Sequence, residues 1–181
     1  MRALRRHGCR SVAWLVLLGI VGCQGSSSRE HKGRLGDCSE RCGRLPQIAK
    51  TVAEMRVPAS APPPHGGPLT PGTYVVTEMT AYTGPGGAIG RTGLERAWTM
   101  RITTSGSGAS FESSYIHLAD TCPEYHQTGT LTTSGSTLKA SVSCWTDHPI
   151  PQDFTEAYTA DGDTLLVFGE PSHTIKFIRQ P

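Results

Sequence analysis

The carboxyl-terminal part of the chain, residues 72–181, consists of short runs rich in Thr, Val, Tyr and Ile that are separated by Gly, Ser and Asp. β-Branched and aromatic residues in such runs are typical of strands, and no helical period lies between them. Because the connections are short, the runs are predicted to form an antiparallel meander. The eight predicted strands cover about residues 73–82, 95–104, 109–118, 125–133, 136–145, 154–160, 163–169 and 173–179.

Two of the connections predict how neighbouring strands pair. Asp161-Gly162 is a residue pair favoured by type I′ hairpins, in which both central residues need positive φ. With this pair at the centre of the turn, Tyr158 lies opposite Leu165. Ser134-Gly135 predicts a second hairpin of the same kind, in which the numbers of paired residues sum to 269.

Alternation of apolar and polar residues assigns the two faces of the strands. One face is predicted to be buried and the other to meet water, as in an antiparallel sheet. The predicted inward residues include Trp98, Met100, Ile102, Leu138, Ala140, Val142 and Cys144, and the predicted outward residues include Thr99, Arg101, Thr103, Lys139, Ser141 and Ser143.

Eight strands with one apolar face remove both exposed edges of the sheet most economically by closing into an up-and-down barrel. Closure requires the first strand, around Tyr74 to Tyr82, to pair with the last, around Thr174 to Ile178. The predicted fold class is therefore mainly β, a closed eight-strand barrel preceded by a short helix. A β-sandwich is the alternative.

The beginning of this region resembles lipocalin-like barrels. Gly72-Thr73-Tyr74 is similar to their Gly-x-aromatic start of the first strand, with Tyr where many members have Trp. The connection at residues 83–91 falls where that fold has its large first loop, and Arg179 lies near the end of the last strand, where many members place an arginine. The resemblance covers residues 72–181 and implies a cavity inside the barrel that binds a small apolar molecule.

The amino terminus, residues 1–22, has the features of an export signal. Arginines precede an apolar run at residues 12–21, which is well short of the roughly 20 residues needed to span a bilayer. The run ends in Ile20-Val21-Gly22-Cys23, which resembles the lipobox of bacterial lipoproteins. The resemblance implies cleavage before Cys23 and lipid on that cysteine, which anchors the protein to a membrane. An ordinary secreted protein with a coincidental cysteine is the alternative.

Lipidation bears on location and on partners. Each buried methylene contributes about 0.8 kcal/mol, so two or three acyl chains hold a protein firmly at its membrane. Gln24 follows the cysteine, where lipoproteins retained at the inner membrane tend to have aspartate, so the resemblance implies the outer membrane.

Loss of the leader reduces the number of Lys and Arg residues from 17 to 13, against 15 Asp and Glu. No basic cluster with interleaved aromatic residues remains, and nucleic acid is therefore not a predicted partner.

Composition divides the region between the anchor and the strands into three segments. Residues 23–36 are small and polar and are predicted to form a flexible tether. In residues 37–57 apolar side chains repeat at helical spacing, which predicts a short helix from about Pro46 to Arg56. Residues 58–71 are rich in proline and are predicted to be a stiff linker that separates this helical segment from the β domain at residues 72–181.

Four cysteines remain in the exported chain, where the compartment favours disulfides. The hairpin predicted at Ser134-Gly135 places Cys144 opposite Tyr125 and brings Cys122 to the same end of the sheet. A disulfide between Cys122 and Cys144 is therefore predicted, and it would stabilise by roughly 3 kcal/mol in the chain-entropy model.

The other two cysteines, Cys38 and Cys42, lie close together in the sequence and are predicted to form a second, local bridge. A metal site that also uses His31 is an alternative, although it lacks a fourth ligand. A free redox pair is another alternative, although the spacing is not Cys-x-x-Cys.

The sequence contains no recognisable catalytic constellation. The glycine-rich stretch at residues 84–90 has no predicted helix behind it to receive a phosphate, and the serines occur in Ser-Gly turns rather than in Gly-x-Ser-x-Gly. No enzymatic activity, cofactor or metal is therefore predicted, although three histidines could meet at one end of a barrel. The scattered candidates are His117, His126, His148, His173, Glu112, Glu124, Glu156 and Glu170.

Two functional classes are compatible with this sequence. The first is a membrane-anchored envelope lipoprotein that binds a small apolar ligand in a barrel cavity. The second is a structural or protein-interaction lipoprotein of the envelope with a filled core. Large inward side chains should fill the core, whereas inward Thr, Ser and Ala should leave a pocket. The large candidates are Trp98, Met100, Tyr115, Phe154, Leu165 and Phe177.

Overall fold

The computed structural model describes residues 42–105, 108–117, 124–146, 152–169 and 172–181, with the backbone alone for His117. The predicted leader and tether and several candidate residues lie outside this part of the chain. These residues are Cys23, His31, Cys38, Cys122, His148 and Glu170.

The described residues form nine strands and no helix, so the prediction of a mainly β fold is confirmed. Eight of the strands match the eight predicted runs to within a few residues at each end. The strands are β1 Val52–Val57, β2 Gly72–Tyr82, β3 Gly90–Ser105, β4 Gly108–His117, β5 Tyr125–Ser134, β6 Thr137–Trp145, β7 Asp153–Asp161, β8 Thr164–Gly169 and β9 His173–Arg179.

Strands β2 to β9 form a closed ring. Each pairs antiparallel with the next one along the chain, and β9 pairs antiparallel with β2. The contact between β2 and β9 extends from Tyr74 opposite Arg179 to Ala81 opposite His173. The predicted pairing of the first ring strand with the last is therefore confirmed, and it leaves neither strand with an unpaired edge.

Strand β1 lies where a helix was predicted, so the helix from about Pro46 to Arg56 is wrong. β2 and β3 pair directly only over Gly72–Val75 and Thr99–Ile102. Beyond that point they separate, and β1 fills the gap by pairing parallel to β2 and antiparallel to β3. Without β1, backbone groups of β2 and β3 would lack hydrogen-bond partners, which is costly. Satisfying them stabilises a strand here more than the short helical period, which Pro46 already interrupts, stabilises a helix.

Both predicted hairpins form, but each turn is displaced by one residue along the chain. Gly135 and Gly162 occupy the first central position, with φ of 58° and 57°, and this arrangement is typical of a type II′ turn rather than type I′. Tyr158 consequently lies opposite Val167 instead of Leu165, and the paired numbers near the first turn sum to 271. Since side chains alternate with a period of two, each strand keeps the predicted face.

A bulge in β6 reverses the predicted face of Cys144. Val142 lies opposite Gly129 and Cys144 opposite Thr128, so Ser143 is the extra residue. A bulge re-aims the side chains that follow it. Cys144 therefore lies on the outer face, opposite Thr128 rather than Tyr125.

Residues 42–51, called here the strap, cross the outer face of the ring from β6 to β3. Cys42 forms a disulfide with Cys144, and their Cα atoms are 5.2 Å apart. The predicted bridges Cys122–Cys144 and Cys38–Cys42 are therefore wrong, because each shares a cysteine with the observed bond. The Arg44 backbone N–H donates to Glu112 Oε1 on β4 at 2.7 Å, and Leu45 is only 1% exposed.

The strap also buries polar side chains of the outer face, and one of them, Thr99, was predicted to face water. Thr99 Oγ1 accepts hydrogen bonds from the backbone N–H groups of Ile48 and Ala49 and donates to Gln47 Oε1. Gln47 Nε2 donates to the Ser114 carbonyl at 3.0 Å. Thr99 and Ser114 are completely buried, so the strap is an integral part of the fold.

The predicted linker is packed against the ring. Gly66 forms two backbone hydrogen bonds with β7, to Tyr158 and from Ala160. Tyr158 Oη donates to the Gly67 carbonyl at 2.6 Å and Tyr74 Oη to the Thr70 carbonyl at 2.7 Å. Because both tyrosines point inward, residues 66–71, called here the base segment, cover one end of the ring.

Candidate functional site

The inward side chains of the ring surround a cavity of about 600 Å³. Its position is towards the end of the ring opposite the base segment, since Tyr125, Trp145 and Phe154 line it near the corresponding ends of β5, β6 and β7. We call this the cavity end and the other the base end. The volume falls within the range of small-molecule binding sites.

Aromatic rings form much of the cavity wall. They contact one another in pairs, and such pairs fix ring orientation as well as burying apolar surface. Trp145 Nε1 also donates to Tyr115 Oη at 3.0 Å. The ring pairs are Trp98–Tyr115 at 5.6 Å, Trp98–Phe177 at 5.3 Å, Tyr115–Tyr125 at 5.0 Å and Trp145–Phe154 at 5.7 Å.

The large inward residues that were expected to fill the core instead form the wall of the cavity. Five of the six candidates line it, and Leu165 lies deeper, at 1% exposure. An eight-strand ring is wide enough to hold one small ligand as well as its own inward side chains. The expectation that large residues leave no room is therefore wrong for this chain.

Two side chains on β3 present buried nitrogen atoms without partners. Arg96 and Trp98 alternate with outward residues and both line the cavity. Arg96 Nε and Trp98 Nε1 are inaccessible to solvent, and neither has a hydrogen-bond partner in the described part of the chain. Buried donors without partners are rare in native proteins, and each needs a specific explanation.

The other polar side chains of the cavity lie on other strands. Gln127 Oε1 accepts a hydrogen bond from Ser113 Oγ at 3.3 Å. Glu156 lines the cavity from β7. β3 and β7 are four strands apart in the eight-strand ring, so the Arg96 cation and the Glu156 carboxylate belong to opposite walls.

A glutamate and a histidine contact each other beside the cavity end, on the inner face of the sheet. Glu54 of β1 is 5% exposed, and its Oε1 is 2.7 Å from His173 Nδ1 of β9. Glu54 is in register with Met79 and His173 with Ala81. This contact joins β1, which sequence reasoning missed, to the strand that closes the ring.

At the base end, the three residues that carry the lipocalin-like resemblance meet in space. Tyr74 lies opposite Arg179, and a Cβ atom on Gly72 would come within 2.6 Å of Arg179 Cδ. Arg179 Nε also donates to Asp163 Oδ1 at 2.8 Å. Burial raises the pKa of the Tyr74 hydroxyl above its usual value, and the nearby Arg179 charge opposes that shift.

A second concavity, of about 550 Å³, lies outside the ring between the strap and the outer face of β4 and β5. Ser114 Oγ donates to Glu124 Oε1, and His126 Nε2 is 3.6 Å from the same oxygen. The serine hydroxyl is therefore directed to the carboxylate and not to the histidine, which is unlike the arrangement that activates a serine nucleophile.

The histidines and glutamates that the sequence offered as candidates lie on both faces of the ring, and Glu124 and His126 contact each other on the outer face. His126 is on the outer face and His173 on the inner face, while Glu112 contacts Arg44 and Arg101 outside the ring. In none of the described ranges do three His, Cys, Asp or Glu side chains lie close enough together to hold a metal ion.

Sequence reasoning missed Arg96 and Glu156 as cavity residues, although a signal was present. Arg96 is two residues before inward Trp98, and Glu156 is two residues before inward Tyr158. A period of two places each charge on the apolar face. Gln127 has the same signal, since it is two residues after inward Tyr125, whereas Trp145 has none because the bulge at Ser143 changes its face.

Comparison of the chain with protein-family models, curated proteins and solved structures finds no match. The described part of the chain includes no apolar helix of the length that a membrane crossing requires.

Proposed function

We propose that this chain is a membrane-anchored binding protein of the bacterial envelope that holds a small, largely apolar molecule inside a lipocalin-like barrel. The cavity carries this proposal. It has about 600 Å³ of space within a ring of apolar and aromatic side chains, and a preformed apolar cavity with a few polar groups is the usual form of a small-molecule site.

The proposal joins the cavity to the lipobox at Ile20-Val21-Gly22-Cys23. Lipid on Cys23 would keep the binding domain at its membrane, with residues 24–41 as the intervening chain. The resemblance at Gly72, Tyr74 and Arg179 supports the barrel, because these residues contact one another as its first and last strands require.

The binding proposal is tested with N-phenyl-1-naphthylamine, a neutral apolar dye that fluoresces when it leaves water. The full chain carrying Cys23→Ser, which avoids detergent, should bind it at one site. Ala140→Phe should weaken binding by about tenfold or more, because overpacking a site typically costs about 1 to 3 kcal/mol. Thr132→Phe is the matched control, since Thr132 is exposed on the outer face of neighbouring β5.

Equal binding to the parent and to Ala140→Phe would place the dye outside the cavity and refute the proposal. No binding to the folded parent would favour the structural or protein-interaction lipoprotein instead. Native mass spectrometry of the protein from its own cells would then identify either a retained small molecule or a protein partner.

The anchor is tested separately by labelling cells with radioactive palmitate. Cys23→Ser should abolish the label and release the protein from the membrane fraction or leave it unprocessed. Cys9→Ser, inside the leader, is the matched control and should retain the label. Unchanged membrane partitioning of Cys23→Ser would refute the lipoprotein proposal without affecting the cavity.

A further inference from the structure

The two cavity donors that have no partner among the described residues are close together. One belongs to a charged guanidinium and the other to a neutral indole. Arg96 and Trp98 are two residues apart on one strand and point to one face, so their Cα atoms are separated by roughly 7 Å. Arg96 Nε and Trp98 Nε1 are both buried and without hydrogen-bond partners among the described residues. Because neither atom is accessible to solvent, a single acceptor group that entered the cavity would receive hydrogen bonds from both once the two side chains had turned toward it.

The positive charge of Arg96 indicates the chemical class of that acceptor. Arginine stays protonated at all relevant pH values and matches the geometry of carboxylates and similar oxyanions. In the described part of the chain, Arg96 forms no ion pair, and the acid that lines the same cavity, Glu156, belongs to the opposite wall. Arg96 is partly buried and its Nε has no hydrogen-bond partner among the described residues, so the arrangement suits an anion supplied by a ligand.

We infer that the cavity selects an amphipathic anion, with its acidic head group on Arg96 and Trp98 and its apolar body among the aromatic side chains. This inference rests on the proposed function, because it requires a ligand in the cavity. It adds the ligand class and an orientation. The head group lies against β3, on the wall opposite β7.

Two dyes with one skeleton test this inference. N-phenyl-1-naphthylamine is neutral, and 8-anilino-1-naphthalenesulfonate differs from it only by an anionic sulfonate. The full chain carrying Cys23→Ser should bind the sulfonate at least about tenfold more tightly, since hydrogen bonds to charged groups are the strong ones. The neutral dye should displace the sulfonate, which shows that both occupy the cavity.

Substitutions then separate the two donors. Arg96→Gln should remove the preference for the sulfonate, measured as the ratio of the affinities of the two dyes for the same variant, and Arg96→Lys should retain part of that preference. Trp98→Phe keeps an aromatic side chain, although a smaller one, and removes the N–H, so it should reduce the preference by about threefold. Arg101→Gln is the matched control, because Arg101 lies on the outer face of the same strand and is exposed.

The outcomes distinguish the inference from the proposed function. If the neutral dye binds but the parent has no preference for the sulfonate, or if Arg96→Gln and Arg96→Lys leave that preference unchanged, the inference is overturned and the binding cavity stands. If the sulfonate binds but the neutral dye does not displace it, the anion site is elsewhere and the inference is also overturned. If neither dye binds the folded parent, both proposals are overturned.

Discussion

At the base end of the ring, inward polar groups have partners within the chain, whereas at the cavity end two of them do not. Tyr74 and Tyr158 donate to carbonyls of the base segment, and both are at most 2% exposed. Arg96 and Trp98 occupy the same inner face near the other end, and each has a buried nitrogen that no described residue satisfies. Among the described residues, the two inward tyrosines of the base end therefore have hydrogen-bond partners, and these two nitrogen atoms near the cavity end do not.

This difference assigns different roles to the two ends. Close packing and satisfied hydrogen bonds at the base end stabilise the ring. The cavity end lacks part of that stabilisation, because the two groups without hydrogen-bond partners are those that would contact a ligand under the proposed function. Polar groups left unsatisfied by the fold are expected at functional sites.

The largest effect is expected from removal of the closing strand. Deletion of residues 173–181 removes Phe177 from the core. It also removes the backbone partners of β2 along its whole contact with β9, which extends from the base end to the cavity end. Large buried side chains contribute about 2 to 5 kcal/mol each, against a total stability of about 5 to 15 kcal/mol. We expect the truncated chain to lose its cooperative thermal transition. Deletion of the exposed Pro181 alone is the control, and a near-parental melt of the longer deletion would show that closure adds little.

The next effect concerns the disulfide, which supports the cavity end from outside. Cys42 and Cys144 are 102 residues apart, and a loop of that length gives about 4 to 5 kcal/mol in the chain-entropy model. The double variant Cys42→Ser and Cys144→Ser should lose about this much stability in denaturant titrations. Amide exchange should increase around Thr99 and Ser114, which the strap covers, more than around Tyr158. Non-reducing peptide mapping that links Cys42 to another cysteine would contradict the observed bond.

A matched pair of leucines compares core packing with the cavity wall. Leu165 is fully packed, whereas Leu131 is also buried but lines the cavity. The cost of truncation grows with the new void it leaves, and Leu131 adjoins space that is already empty. Leu165→Ala should therefore cost about 4 kcal/mol and Leu131→Ala about 2 kcal/mol. Equal losses in denaturant titrations would indicate that the cavity is closed up in solution.

The strands and the closure of the ring were predictable because they depend on a period that the sequence carries locally. The predicted faces stayed correct even though the turns at Gly135 and Gly162 were misplaced. Each misplacement changed the partner of a given residue by two positions, which leaves the same face buried. The bulge at Ser143 had the opposite effect. A single extra residue sent Cys144 outward, and the predicted disulfide failed with it.

The strap and β1 were not predictable in the same way, because nothing local in residues 42–57 specifies a strand or an outer crossing. Their structure is determined by partners about 25 to 100 residues away, such as Met79 for Glu54 and Cys144 for Cys42. Tertiary hydrogen bonds override a weak helical propensity. Within the candidate site, the period of two could have assigned Arg96 inward, but the absence of a partner for its Nε becomes visible only in three dimensions.

The smallest effect concerns the ionisation of Tyr74 and belongs to the base end alone. Burial raises the pKa of this hydroxyl above its usual value near 10. As the pH rises past that value, the unfolded chain releases the proton before the folded chain does. The folded state then holds more protons, and stability decreases as the pH approaches the raised pKa. The contribution of Tyr74 is therefore complete below about pH 10 and is lost above it.

Tyr74→Phe should remove this part of the alkaline loss. At neutral pH it should cost about 1 kcal/mol, because the Thr70 carbonyl loses its donor. Melting temperatures between about pH 8 and 11 should then decrease less steeply for Tyr74→Phe than for the parent. Tyr82→Phe is the control, since Tyr82 ends β2 near the other end of the ring and is only partly buried. Parallel pH profiles for the parent and Tyr74→Phe would mean that the base end admits water to this hydroxyl, and the contrast between the two ends would be smaller than the structure indicates.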